Sequence, residues 1–467
     1  MFSNTFGLVF YQLINLYITY VLALNLSVSD FGEYQFYLSI SFFLVMILKA
    51  GIDEGLVYLM PRSNQSKENN KAIISSLYLF YFFVFISIFL TSFIWKSLFN
   101  KIYPEVDYYR VYFITASFFL LTFASATLRV IGANTERVFG LYVLAPLIMC
   151  FLIAMLHVDV NNVLDFRIIS FLVSGLVLIL LLYRKNIFTL SLMNKGDAGS
   201  LLKISLSIFV LQFFLSGVEQ NYIAIALLKK YASSDELGLY SFAIRYAALL
   251  AMVVIAFNGF LVPVLVRVGE SNCKLKLREV YVSTTRVTST LNLISFLFLY
   301  GFSQYLITWI DPKYMASLSF VKILLFANFS TLLFGLNIPI VNSFDKKWEF
   351  KNIFCTCIFM LLSSMLLLKF YGALGIAVSA LLAQFLMNFA RSMRVHLILG
   401  LEKKHHMIVV KSFAIAVSYA MLIELIIEYG SKNLYIASIL LLLFSFVLIL
   451  YKMMKEIMEL RSISNEN

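Results

Sequence analysis

The chain has 467 residues, of which 61% are hydrophobic and 13% charged, with a formal charge of +12. A soluble domain carries about 25% charged residues, so a soluble core of this length is excluded and the bilayer is the solvent that fits. The Lys and Arg residues are spread through short connectors rather than gathered in a patch, which speaks against nucleic-acid binding and leaves an orientation signal.

A membrane-spanning helix needs about 20 mostly apolar residues. Fourteen segments meet that length: 5–26, 36–60, 74–95, 110–131, 138–157, 166–183, 204–228, 239–266, 281–308, 320–342, 353–370, 376–397, 407–428 and 434–453. The first contains Gln12 and Asn15, and no small-residue cleavage site follows it, so it reads as a retained anchor. An even count puts both termini on one side. With a cytoplasmic N-terminus, twenty Lys and Arg fall on the cytoplasmic side and eight on the other. The positive-inside rule therefore places both termini in the cytoplasm. The longest cytoplasmic connector, 184–203, is turn-rich and lies near the midpoint.

That midpoint divides a repeat. Gly32, Tyr34 and Phe36 recur as Gly238, Tyr240 and Phe242 at an offset of 206. Segment 132–137 faces 342–347 at an offset of 210. Spans one to six thus match spans seven to twelve in order. Six is even, so the halves are parallel and related by a pseudo-two-fold axis along the membrane normal. The expected organisation is an all-α polytopic protein with an N-terminal six-helix lobe (1–190), a cytoplasmic linker (191–203), a C-terminal six-helix lobe (204–400), and two extra helices with a tail (401–467). Asp30 and Glu33 are spaced as a capping box for the second span.

The four Cys (Cys150, Cys273, Cys355, Cys357) and four His (His157, His396, His405, His406) show no metal-ligand spacing. There is no Gly-rich Lys loop for a nucleotide and no nucleophile–base pair. No catalytic residue, metal or cofactor is expected, and the chain reads as a non-enzyme.

Several motifs carry a family resemblance. They are Phe31-Gly32-Glu33-Tyr34, Gly51-Ile52-Asp53-Glu54-Gly55-Leu56, and Leu237-Gly238-Leu239-Tyr240-Ser241 with Pro263. Two more follow: Trp309-Ile310-Asp311-Pro312-Lys313-Tyr314-Met315-Ala316 and Tyr371-Gly372-Ala373-Leu374-Gly375-Ile376-Ala377. Together with fourteen spans they resemble the multidrug/oligosaccharidyl-lipid/polysaccharide (MOP) exporter superfamily, and within it the O-antigen and polysaccharide flippase (Wzx-type) branch. The resemblance implies a two-lobe alternating-access transporter in the bacterial inner membrane. Its cargo would be an undecaprenyl-diphosphate-linked oligosaccharide moved from the cytoplasmic to the periplasmic leaflet. Membrane lipid, a coupling H+ or Na+, and the polymerase and chain-length proteins of the same pathway are the implied partners. One departure stands out. Related flippases hold the diphosphate partly through basic residues of the first span, and here that span offers only Gln12 and Asn15.

Charges within spans are costly and mark function or pairing. Arg129, Arg391, Arg394 and Lys411 lie near cytoplasmic span ends, Arg167 and Lys322 near outer ends, and these are expected to snorkel. Lys49, Asp53, Glu54, Glu219, Arg245 and Arg286 remain. Lys49 and Asp53 are spaced i, i+4 and would either neutralise each other or face a cavity. In the functional reading Lys49, Arg245 and Arg286 bind the diphosphate, Arg by forking onto its oxygens. Asp53, Glu54 or Glu219 would carry the coupling ion. The competing readings are a cation-coupled multidrug exporter of the same superfamily and a membrane polysaccharide polymerase. The short outer loops disfavour the polymerase, and the extra helix pair disfavours the exporter.

Overall fold

The computed structural model describes residues 2–60, 67–189, 193–219, 221–250, 274–401 and 403–429. Among these residues every regular element is helical. Span one is α1 (Phe2–Asn25), span two is α2 (Val28–Lys49) with α3 (Ile52–Leu59), and span three is α4 (Lys67–Leu90) with α5 (Ser92–Ile102). Span four is α6 (Tyr108–Val130). Span five runs through α7 (Asn134–Val138), a π-helical stretch (Phe139–Leu144) and α8 (Ala145–Met155), and span six is α9 (Val160–Arg184). Span seven is α10 (Lys195–Glu219) with α11 (Tyr222–Tyr231). The helix over 234–250, here α12, begins span eight. Span nine is α13 (Lys274–Gly301) and α14 (Ser303–Ile310), bent by 57° at their junction. A 3-10 turn (Pro312–Ser317), α15 (Leu318–Leu333) and α16 (Asn337–Phe344) make span ten. The 54-residue α17 (Lys346–Leu399) is two helices joined at Gly372 (φ 57°, ψ −142°), which separates spans eleven and twelve. Span thirteen is α18 (Lys403–Tyr429). The rest of span eight with Pro263, Cys273, and all of span fourteen lie outside the described residues.

By packing, the chain forms two compact units, Met1–Gly238 and Leu239–Asn467. The first unit therefore includes α10 and α11. The lobes 1–190 and 204–400 follow the repeat instead, and that division stands as a proposal.

Within the first unit, α9 is apolar outward and small or polar inward. Leu172, Leu176 and Leu180 are exposed, whereas Ser170, Ser174 and Gly175 are buried. Helices packed in lipid gain nothing by hiding Leu, so small residues take the contact and let backbones approach. The exposed Phe80, Phe82, Phe83 and Phe89 of α4 obey the same rule.

The start of α2 corrects the expected cap. Ser27 is the N-cap: its Oγ accepts the Asp30 N–H at 3.0 Å and donates to the Asp30 carboxylate at 2.7 Å. A matching box opens α12. Ser233 Oγ accepts the Glu236 N–H at 3.2 Å, and Glu236 Oε2 accepts the Ser233 N–H at 3.1 Å. Ser27 to Ser233 and Asp30 to Glu236 repeat the same offset of 206. The repeat thus extends into cap chemistry. Its glycines have a packing role as well. A Cβ on Gly32 would lie 2.6 Å from the Gly238 nitrogen, and one on Gly238 would lie 1.9 Å from the Val28 oxygen. The two equivalent glycines meet, and neither tolerates a side chain.

In the second unit, two residues expected to snorkel are instead paired. Arg391 is fully buried (0%) against Glu349 (1%), with Nε 2.8 Å from Oε1, and it also donates to Asn388 Oδ1 at 3.1 Å. Lys322 lies 2.7 Å from Glu424 of α18, and the Tyr300 hydroxyl donates to the same carboxylate at 2.7 Å. These contacts bind α18 to α13 and α15. In the first unit Arg167 is likewise buried, and its Nε donates to the Tyr34 hydroxyl at 3.0 Å. Snorkelling fails for all three because a partner was within reach inside the fold.

Candidate functional site

Two helix breaks meet in the first unit. α2 ends at Lys49, and Ala50 (φ 46°) and Gly51 (φ 71°) are left-handed. Gly51 is required by contact as well as by φ: a Cβ there would lie 2.4 Å from the Ser205 oxygen of α10. α10 ends at Glu219, and Asn221 (φ 57°) turns the chain into α11. Broken backbone at membrane depth is tolerated only where protein or a wet cavity satisfies it. Here the Tyr81 hydroxyl donates to the Lys49 carbonyl at 3.2 Å.

Between the breaks lies a polar cavity of about 460 Å³. Lys49, Asp53, Gln212, Ser216, Glu219 and Tyr222 supply its polar lining, and Phe42 and Phe118 its aromatic wall. Lys49 Nζ is 2.9 Å from Asp53 Oδ2, and Asp53 Oδ1 accepts the Glu54 N–H at 3.0 Å. Asp53 sits in the first turn of α3, where the helix dipole favours a negative charge. One ammonium faces two carboxylates, so the lining is acidic when all three are ionised.

Three of the six expected residues therefore converge: Lys49, Asp53 and Glu219. Glu54 points elsewhere and pairs with Arg129 at 2.9 Å, tying α3 to the end of α6. Arg245 on α12 and Arg286 on α13 lie in the second unit, and both are exposed. They do not line this cavity. Sequence reasoning missed Gln212, Ser216 and Tyr222. The signal was available: Gln212, Ser216 and Glu219 are spaced i, i+4, i+7 on one face of α10. Among the described residues no group of His, Cys, Asp or Glu could hold a metal ion.

No family model matches the chain, and no curated protein matches it in sequence. Solved structures match its fold. A lipid II flippase, MurJ, in an inward closed conformation aligns with TM-score 0.70 at 12% identity, covering 97% of this chain and 99% of that one. An inward-facing multidrug resistance MATE family transporter of the MOP superfamily aligns with TM-score 0.65 at 13% identity, over 84% of this chain and 94% of that one. A MATE transporter from Vibrio cholerae aligns with TM-score 0.53 at 14% identity, over 87% and 97%. The chain thus has the polytopic helical fold seen in MOP superfamily structures.

Proposed function

We propose that the chain is an alternating-access flippase carrying an undecaprenyl-diphosphate-linked oligosaccharide, an O-antigen, capsule or related repeat unit, from the cytoplasmic to the periplasmic leaflet of a bacterial inner membrane. The observation that carries this reading is the extent of the fold match. The alignment to the lipid II flippase takes in 97% of the chain, against 84% for the inward-facing drug transporter. The difference is about 61 residues of the 467, close to the length of two spans. The docking of α18 through Glu424 supports a thirteenth span that belongs to the machine.

In this reading Lys49, Asp53 and Glu219 form the coupling group. A proton or Na+ taken up by either carboxylate alters which of them holds the Lys49 ammonium, and that biases the α2/α3 and α10/α11 breaks. Arg245 and Arg286 are assigned to the cargo diphosphate, where Arg forks onto phosphate oxygens. Glu54 is assigned to the end of α3 rather than to ion uptake.

Deleting the gene tests the assignment. Lipid-linked sugar units then accumulate on the cytoplasmic leaflet. Normal delivery to the periplasm, in a strain without a second flippase, overturns it. The acidic cavity favours one runner-up, a cation-coupled multidrug exporter. In that case the deletion strain becomes drug-sensitive while lipid-linked sugars distribute normally.

A further inference from the structure

A second cavity in the first unit has the opposite character. It measures about 400 Å³ and is lined by α2, α4, α5 and α6. Its walls are apolar, and the polar groups nearby are spent on local bonds. Thr91 Oγ1, at the α4/α5 break, donates to the Ser87 carbonyl at 2.6 Å and accepts the Trp95 indole N–H at 2.9 Å. Tyr112 donates to the Phe85 carbonyl at 2.9 Å, and Thr115 to the Val111 carbonyl at 2.6 Å. A water needs about two to four polar partners, so water does not fill this space, and an apolar cavity of about 150 Å³ already accepts a benzene. Trp95, Leu98, Phe99 and Ile102 face it at i, i+3, i+4, i+7, yet no residue of α5 is buried. α5 therefore roofs a space that its own side chains do not close.

One polar atom is left over. Tyr108 lines the cavity, is 8% exposed, and its buried hydroxyl has no hydrogen-bonding partner among the described residues. Such an atom costs about 1–3 kcal/mol unless something else satisfies it. The flanks of α5 carry Lys96 and Lys101, and neither forms an ion pair among the described residues. A long chain, one oxygen acceptor and a negative head group answer all three features.

We infer that this cavity binds an acyl chain of an anionic glycerophospholipid, whose ester or phosphate oxygen accepts the Tyr108 hydroxyl while its head group lies by Lys96 and Lys101. The resident membrane lipid is favoured over the cargo's polyprenyl tail by the position of α2. Leu44, Ile47 and Leu48 face this cavity, whereas Phe42, Val45, Met46 and Lys49 face the polar one. Arg245 and Arg286, assigned to the cargo diphosphate, do not line this cavity, and α2 separates it from the polar one. The inference does not depend on the transport assignment.

Native mass spectrometry of the full chain in mild detergent tests it, with the retained lipid extracted and identified, then back-titrated with phosphatidylglycerol and with undecaprenyl phosphate. One anionic glycerophospholipid per chain is expected. Leu98→Trp, which fills the space from the unburied helix, abolishes retention. Tyr108→Phe, which keeps the packing, weakens it about tenfold, the worth of one hydrogen bond. Leu206→Trp on exposed α10 changes nothing. The inference is overturned by a wild-type protein with no discrete bound lipid, by Tyr108→Phe retaining lipid as wild type does, or by undecaprenyl phosphate displacing phosphatidylglycerol at equal concentration.

Discussion

Replacing Glu349 by Gln removes the carboxylate that pairs with the Arg391 guanidinium, which is buried at 0% exposure. Breaking a buried pair from one side costs about 3–5 kcal/mol, since the remaining ion keeps its desolvation penalty. The low end applies here for two reasons. Asn388 Oδ1 still accepts from Arg391 at 3.1 Å, and Glu349 Oε2 has no hydrogen bond to lose. Replacing both residues by Met removes the penalty along with the attraction, and that exchange is near neutral. A double-mutant cycle on Glu349→Met and Arg391→Met therefore yields a coupling of about 6 kcal/mol, the two single losses of about 3 kcal/mol that the double variant recovers. For a unit of this size each kcal/mol moves the melting temperature by about 2–4 °C, so each single variant melts roughly 6–12 °C lower. Thermal unfolding in detergent, followed by intrinsic fluorescence, measures it. Additive single and double variants would refute the pairing, because residues that do not interact cannot rescue each other.

Gly238→Ala places a methyl 1.9 Å from the Val28 carbonyl oxygen, where backbone rather than a flexible side chain must move. It lowers folded yield and melting temperature, by about 1–3 kcal/mol on the scale of overpacking, and Gly32→Ala does so to a lesser degree; wild-type thermal stability in both would remove the close approach. Glu424→Gln weakens the charged contacts from Lys322 and Tyr300 to α18. Limited proteolysis then cuts within α18 faster than in wild type, and an unchanged rate contradicts the docking role. Asp345 has its carboxyl held below the usual Asp value, first by the hydrogen bond from Arg394. A depressed folded-state pKa gives stability above the unfolded value, near pH 3.9, that is lost as pH falls through the folded one. The stability gap between wild type and Asp345→Asn therefore closes below about pH 4; a gap that widens in acid has the wrong sign.

Span positions were legible because apolar length is a one-dimensional property, and every described span has its helix. Breaks inside spans were not. Ala50, Asn221 and Gly372 turn the chain in ways that hydropathy does not register, and the break at Asn221 carries no glycine signal. Lys49 and Asp53 were readable as a pair because four residues make one helical turn. Arg391 was misread for the converse reason: its partner is 42 residues away, on the other arm of α17. Position near a span end suggested snorkelling, but burial depends on what packs beside that end. The cap of α2 was misplaced by three residues because Asp30 and Glu33 offered the right spacing, while Ser27 offered the right spacing and an N-cap hydroxyl.

Reconstitution tests the central claim most directly. Purified protein in sealed proteoliposomes is given a fluorescent undecaprenyl-diphosphate oligosaccharide, with a membrane-impermeant quencher outside. The account predicts exchange between leaflets that depends on the protein, is driven by a proton or sodium gradient, and is lost in Asp53→Asn. Exchange no faster than in protein-free vesicles, in every gradient, would contradict it.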